Sequence, residues 1–92
     1  MDRAPRYGVE LPVRYRGVGA TEWHDGTTKN LSESGVLFRT AGPQPPEKSL
    51  VIVFDVGEVS VGCRGEVVRT AKLDEQWAIA ARFGDCYLTP SG

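Results

Sequence analysis

Val9-Glu10-Leu11-Pro12-Val13-Arg14-Tyr15-Arg16 alternates strictly between apolar and polar or proline positions. A strand turns successive side chains to opposite faces, so this spacing puts Val9, Leu11, Val13 and Tyr15 on one face of a half-buried strand. Pro12 has no amide proton to give a ladder, which predicts an edge or a bulge on its outward side. Moving along the chain, Gly17-Val18-Gly19 breaks the pattern, and a short run around Trp23 leads to Asp25-Gly26, a turn signal. Thr27 to Leu31 reads as a strand entering a Ser32-Glu33-Ser34-Gly35 turn, with Val36-Leu37-Phe38-Arg39-Thr40 leaving it. Pro43-Gln44-Pro45-Pro46 is loop, because its prolines lack donors and fix the backbone in extended geometry. Ser49 to Val56 is a nearly continuous apolar strand. Val59 to Thr70 alternates imperfectly, and its Gly62 and Gly65 point to a bend or bulge of the kind small barrels use. Asp74-Glu75 reads as a hairpin loop before a closing strand from Gln76 to Phe83. About five to seven short strands with frequent turns, and no 3.6-residue pattern, predict an all-β antiparallel barrel with little helix.

Composition bounds the function. The 92 residues fit one domain, with 25% charged and 40% hydrophobic side chains and a formal net charge of -1, the profile of a globular protein. A general DNA or RNA binder would carry a basic stripe that is missing here. No apolar run approaches the roughly 20 residues of a membrane helix, and Met1-Asp2-Arg3-Ala4-Pro5-Arg6 is not followed by the apolar stretch of a secretory signal. The expected location is therefore cytoplasmic. Cys63 and Cys86 have no C-x-x-C spacing and no second histidine to complete a metal set, so they are read as two reduced thiols.

One string carries chemistry. Asn30-Leu31-Ser32-Glu33-Ser34-Gly35 sits at the junction of two strands and follows an arginine-bearing N-terminus, with Arg3 and Arg6. Asn, Ser and Gly are ordinary turn residues, so a plain turn would use the same types. As a site they would do more. Asn30 offers an acceptor and a donor to a guanine edge, and the Ser32 hydroxyl rotates to suit either role. Gly35 permits a positive φ or a close approach of backbone to ligand. A guanidinium pairs in a fork with phosphate oxygens or with guanine O6 and N7, and its flat face stacks on bases.

These motifs, the V-E-L-P-V-R-Y strand after Arg6, the Gly35-Val36-Leu37-Phe38 strand start, Gly65-Glu66-Val67-Val68-Arg69 and Ile79-Ala80-Ala81-Arg82-Phe83 together resemble the PilZ domain family of bacterial cyclic di-GMP receptors. The likeness runs from about Arg3 to Phe83. It implies a small six-stranded antiparallel β-barrel in a single domain over 1–92, with a flexible N-terminal segment at about 1–8, the barrel at about 9–84 and a short C-terminal tail. In that family an N-terminal R-x-x-x-R segment and a [D/N]-x-S-x-x-G junction bind the dinucleotide. Asn30, Ser32 and Gly35 match the second motif fully. The first departs from the pattern, because Asp2 stands four positions before Arg6 and Arg3 lies one residue off. The resemblance implies that Arg3, Arg6, Asn30, Ser32 and Gly35 hold cyclic di-GMP, that the N-terminal segment changes conformation on binding, and that the signal passes to a separate, unidentified protein partner. The alternative is a PilZ-like interaction module that has lost nucleotide binding because Asp2 replaces the first motif arginine.

Nothing in the sequence assembles into an active site: no paired carboxylates, no activated nucleophile and no phosphate-cradling loop are present, so no catalytic residue, metal or cofactor is assigned. His24 reads as a solvated turn histidine. Trp23 and Trp77 read as core or barrel-end packing. Arg14, Arg16, Arg39, Arg64, Arg69 and Arg82 lie in strands, where outward arginines form the wet side of a sheet, and some are candidates for the rim of the site.

Overall fold

The structure is a computed structural model and describes residues 10–43, 45, 46 and 48–90, with Thr89 and Pro90 described by backbone alone. Among the described residues, six strands make up the fold: β1 (Pro12–Gly17), β2 (His24–Leu31), β3 (Gly35–Thr40), β4 (Ser49–Val56), β5 (Val59–Leu73) and β6 (Gln76–Pro90). All pairings are antiparallel, and the ring runs β1-β2-β3-β6-β5-β4 before β4 returns to β1. Among the described residues no helix is long and apolar enough to cross a membrane.

The alternation of β1 is what fills the barrel. Val13 and Tyr15 are buried while Pro12 and Arg14 face out. Pro12 lies neither on an edge strand nor at a bulge. It is the first residue of β1, and the ladder to β4 starts only at Val13↔Phe54, so its missing donor costs no bond there. Phe38, Leu50, Ile52 and Ile79 are fully buried beside these residues, and a small barrel filled in this way is a packed core. The Tyr15 hydroxyl, carried into that core, donates to Thr40 Oγ1 at 3.1 Å, and Thr40 Oγ1 donates to the Asp25 carbonyl at 2.7 Å. Buried polar atoms are thereby paired, as they must be where water is excluded.

Several expectations give way. Asp25-Gly26 is not a turn: both residues lie inside β2, where Gly26 pairs with Val13. A Cβ at Gly26 would stand 2.8 Å from the Arg39 carbonyl oxygen, so this glycine serves close strand packing. His24 starts the same strand and is half-buried, its ring 5.5 Å from that of Tyr15. Trp23 is not packing the barrel but is 42% exposed, with the Arg16 and Arg14 guanidiniums 5.0 and 5.9 Å from its ring. Trp77 does pack against the core.

The cysteines are not reduced thiols. Cys63 and Cys86 face each other directly in the β5–β6 ladder, their Cα atoms 4.1 Å apart, and form a disulfide. The bond closes a separation of 23 residues, which a hairpin register brings together and local spacing cannot reveal. The same register carries β6 past Phe83 to Pro90. Asp74-Glu75 is the tight turn between these two strands, with Asp74 in the left-handed region at φ 55°.

Candidate functional site

The motif string forms the β2–β3 hairpin. Leu31 pairs with Val36 across a turn closed by the Ser32 N–H, which donates to the Gly35 carbonyl at 3.0 Å. Ser32 Oγ accepts from the Ser34 N–H at 3.3 Å and donates to the Gly35 carbonyl at 3.4 Å, so this hydroxyl builds the turn as well as facing the cleft beside it. Gly35 has no positive φ. Its role is steric, since a Cβ there would lie 2.5 Å from the Ala81 carbonyl oxygen of β6. The close approach that Gly35 makes is to β6, whose Phe83 N–H also donates to the Ser34 carbonyl at 2.9 Å.

Asn30 owes its orientation to a register shift. Thr28 is buried opposite Phe38, and strict alternation would point Asn30 inward as well. The ladder slips between Thr28 and Asn30, so Asn30 pairs with Leu37 and faces out. Among the described residues its side chain makes no hydrogen bond, leaving amide donor and acceptor open to a ligand.

Asn30, Ser32, Gly35 and Leu37 line a cleft of about 350 Å³ whose opposite wall is made by Ala80 and Arg69. That volume lies at the low end of the ~300–1,000 Å³ usual for small-molecule sites. Arg69 reaches the cleft through a second slip. Val67 pairs with Ala81 on the inner face, and the ladder shifts between Val67 and Arg69, so that Arg69 pairs with Ala80 on the outer face. The pairings Asn30↔Leu37, Leu37↔Ala80 and Ala80↔Arg69 then form one row across four strands, with a polar or charged residue at each end and two apolar residues between. Nothing in Val67-Val68-Arg69 announces a bulge, so the sequence gives no sign that this arginine, among six in strands, faces the motif.

Arg3 and Arg6 lie outside the described residues, as does Asp2. The chain enters the described structure at Glu10, whose Oε2 is 3.3 Å from the Nζ of Lys29, the residue that precedes Asn30. The Leu11 N–H donates to Thr28 Oγ1 at 2.8 Å, and the Thr28 N–H donates to the Leu11 carbonyl at 2.9 Å, which holds this entry point against β2. A second cleft, of about 390 Å³, opens among Glu10, Asp25, Lys29 and Arg39. Its acids and bases offset one another, so it offers an anion no concentrated positive field.

Comparison with known proteins identifies the family and the fold. The family model described as the PilZ domain matches residues 2–88. Among solved structures, the Bacillus subtilis inhibitor of motility, MotI/DgrA, superposes with a TM-score of 0.77 at 16% identity, covering 95% of this chain. The chain spans 44% of the length of that protein, and at this identity the likeness is one of fold. A comparison with curated protein sequences finds no match.

Proposed function

The chain belongs to the PilZ domain family, a family of cyclic di-GMP receptors, and from that premise we propose that it binds cyclic di-GMP and passes the signal on through its N-terminal segment. The observation that carries this reading is the placement of the chain's entry point. Glu10 lies beside the motif strand, and Arg6 is four residues upstream, within about 14 Å of extended chain. Arg6 and Arg3 would grip phosphate and guanine while Asn30 and Ser32 hold the base. A cleft of about 350 Å³ is small for a dinucleotide, so the segment closing over it would complete the enclosure and present a new surface to a protein partner. Binding of this kind involves no covalent step.

A second reading has its own observations. Asp2 occupies the place of the first motif arginine, and Ser32 Oγ is already engaged in its turn. Both favour a PilZ domain that serves as an interaction module without nucleotide.

Calorimetric titration with cyclic di-GMP, with GTP as control, separates the two. The receptor reading expects saturable binding that Arg6→Ala abolishes, weakening by Arg3→Ala, and a gain from Asp2→Arg. Each charge-assisted contact is worth about 1.5–3 kcal/mol. Absence of binding in the wild type, restored by Asp2→Arg, would leave the module reading standing.

A further inference from the structure

We infer that the last part of β6, residues 84–90, is a docking edge for a second copy of this chain, the two copies pairing antiparallel about a two-fold axis at Tyr87. The inference stands apart from nucleotide binding.

The barrel closes without this segment. β3 pairs with β6 only from Gly35↔Arg82 to Thr40↔Trp77, and the Phe83 N–H adds one bond to the Ser34 carbonyl. Beyond that point, among the described residues, β6 pairs with β5 alone, from Cys63↔Cys86 to Val59↔Pro90. One side of the strand is hydrogen-bonded and the other is an open edge. Such an edge is a template for a further strand, and proteins commonly blunt it with lysine, proline or a covering element. Here no charged residue follows Asp85, and Pro90 stands only at the end of the strand. The edge is also preformed and uncovered. The Cys63–Cys86 disulfide pins its base to β5, and the Tyr87 ring leans away from the edge over Gly62 of β5, where a Cβ would stand 2.8 Å from the ring. A strand already ordered in this way has less freedom to lose on association.

Three features select a second copy as the occupant. An antiparallel edge complements itself about a two-fold axis, since its alternating donors and acceptors meet their own counterparts. An axis at Tyr87 sets residues 85–89 opposite residues 89–85 of the second copy, and directly opposed side chains share a face. Leu88, at 71% the most exposed large hydrophobic residue described, then lies against Cys86 and the disulfide of the other copy. The same register keeps the two Asp85 carboxylates about 13 Å apart along the strands, beyond a Debye length of about 10 Å at 0.1 M salt. Finally, the chain's own N-terminal residues start from another strand. Glu10 and Leu11 are held along β2, and β3 stands between β2 and β6 in the ring.

The test is sedimentation equilibrium of the oxidised protein without nucleotide. The shared strand is shorter than the ~20–30 residues a side of a stable interface, so the dimer should be weak and appear across about 10 μM to 1 mM. Leu88→Lys should raise its dissociation constant roughly 10- to 150-fold, the loss of a buried leucine at the contact, while melting as the wild type does when both are dilute. Leu73→Lys, an exposed apolar position at the other end of β5, should dimerise as the wild type does. Amide exchange at the highest concentration should slow in residues 85–89. A wild type that stays monomeric over the whole range overturns the inference. So does a Leu88→Lys protein that dimerises as the wild type does, or a dimer whose protection lies away from residues 85–89.

Discussion

Tyr15 shows how one buried group ties the barrel to pH. Burial raises its pKa above the ordinary 10.0, and the hydrogen bond with Thr40 works in the lowering direction without reversing that. The folded protein thus holds the phenol proton more tightly than the unfolded chain does. Stability from this source is complete below the unfolded pKa of about 10 and falls as pH rises through the folded value. Denaturant melts between pH 8 and 11 should show a constant midpoint up to about pH 9 and then a decline. Tyr15→Phe should remove Tyr15's share of that decline, at a cost of about 1 kcal/mol at neutral pH for the lost bond. An alkaline decline of the same depth in Tyr15→Phe would show that other groups govern it. Gly35 makes a steric demand of comparable weight. With the Ala81 carbonyl 2.5 Å from the place a methyl would occupy, Gly35→Ala must push β3 away from β6, a strain of about 1–3 kcal/mol. A thermal melt of Gly35→Ala equal to wild type would mean that this approach relaxes freely.

Between strands, the decisive features are the ones that local sequence hides. The alternation of Val13 and Tyr15, the apolar run of β4 and the motif turn between Leu31 and Val36 were all legible, because each follows from a period or a turn chemistry contained in a few residues. Gly62 and Gly65 announced irregularity in β5, and the ladder does slip between Cys63 and Gly65, but the extra residue there lies on β6, between Phe83 and Cys86. Asp25-Gly26 misled, since the same dipeptide that suits a turn also suits a strand pressed against Arg39. The outward turn of Arg69 and the meeting of Cys63 with Cys86 depend on the pairing of β5 with β6, and pairing between distant segments is not encoded in either segment alone. The disulfide gives a direct check on that register. Closing a loop of 23 residues restricts the unfolded chain and stabilises by about 3 kcal/mol on the chain-entropy account. Urea unfolding with and without reductant, or of Cys86→Ser, should differ by roughly 2–4 kcal/mol. Identical curves, together with two thiols titrating in the unreduced protein, would show that the bond does not form.

In the molecule as a whole, the proposed receptor would act through the difference in affinity between its states, so ligand binding would appear as stability of the entire barrel. At a nucleotide concentration 100 times its dissociation constant, the gain is about 2.7 kcal/mol, which for a domain of this size raises the melting midpoint by roughly 10 °C or more. The gain should spread across all six strands, because closure makes β1 dependent on β4 and β2 alike and the ring unfolds as one unit. Arg6→Ala separates this from any direct effect of the N-terminus on the fold. It should melt with the wild type when nucleotide is absent and lose the ligand-induced rise. Amide exchange adds the location: cyclic di-GMP should slow exchange in residues 2–9 and around Asn30 and Leu37, where the entry point at Glu10 meets the motif strand. A rise in melting temperature without protection of residues 2–9 would mean that the barrel binds nucleotide by its cleft alone. The signal would then have to leave through the β2–β3 hairpin and not through the N-terminal segment.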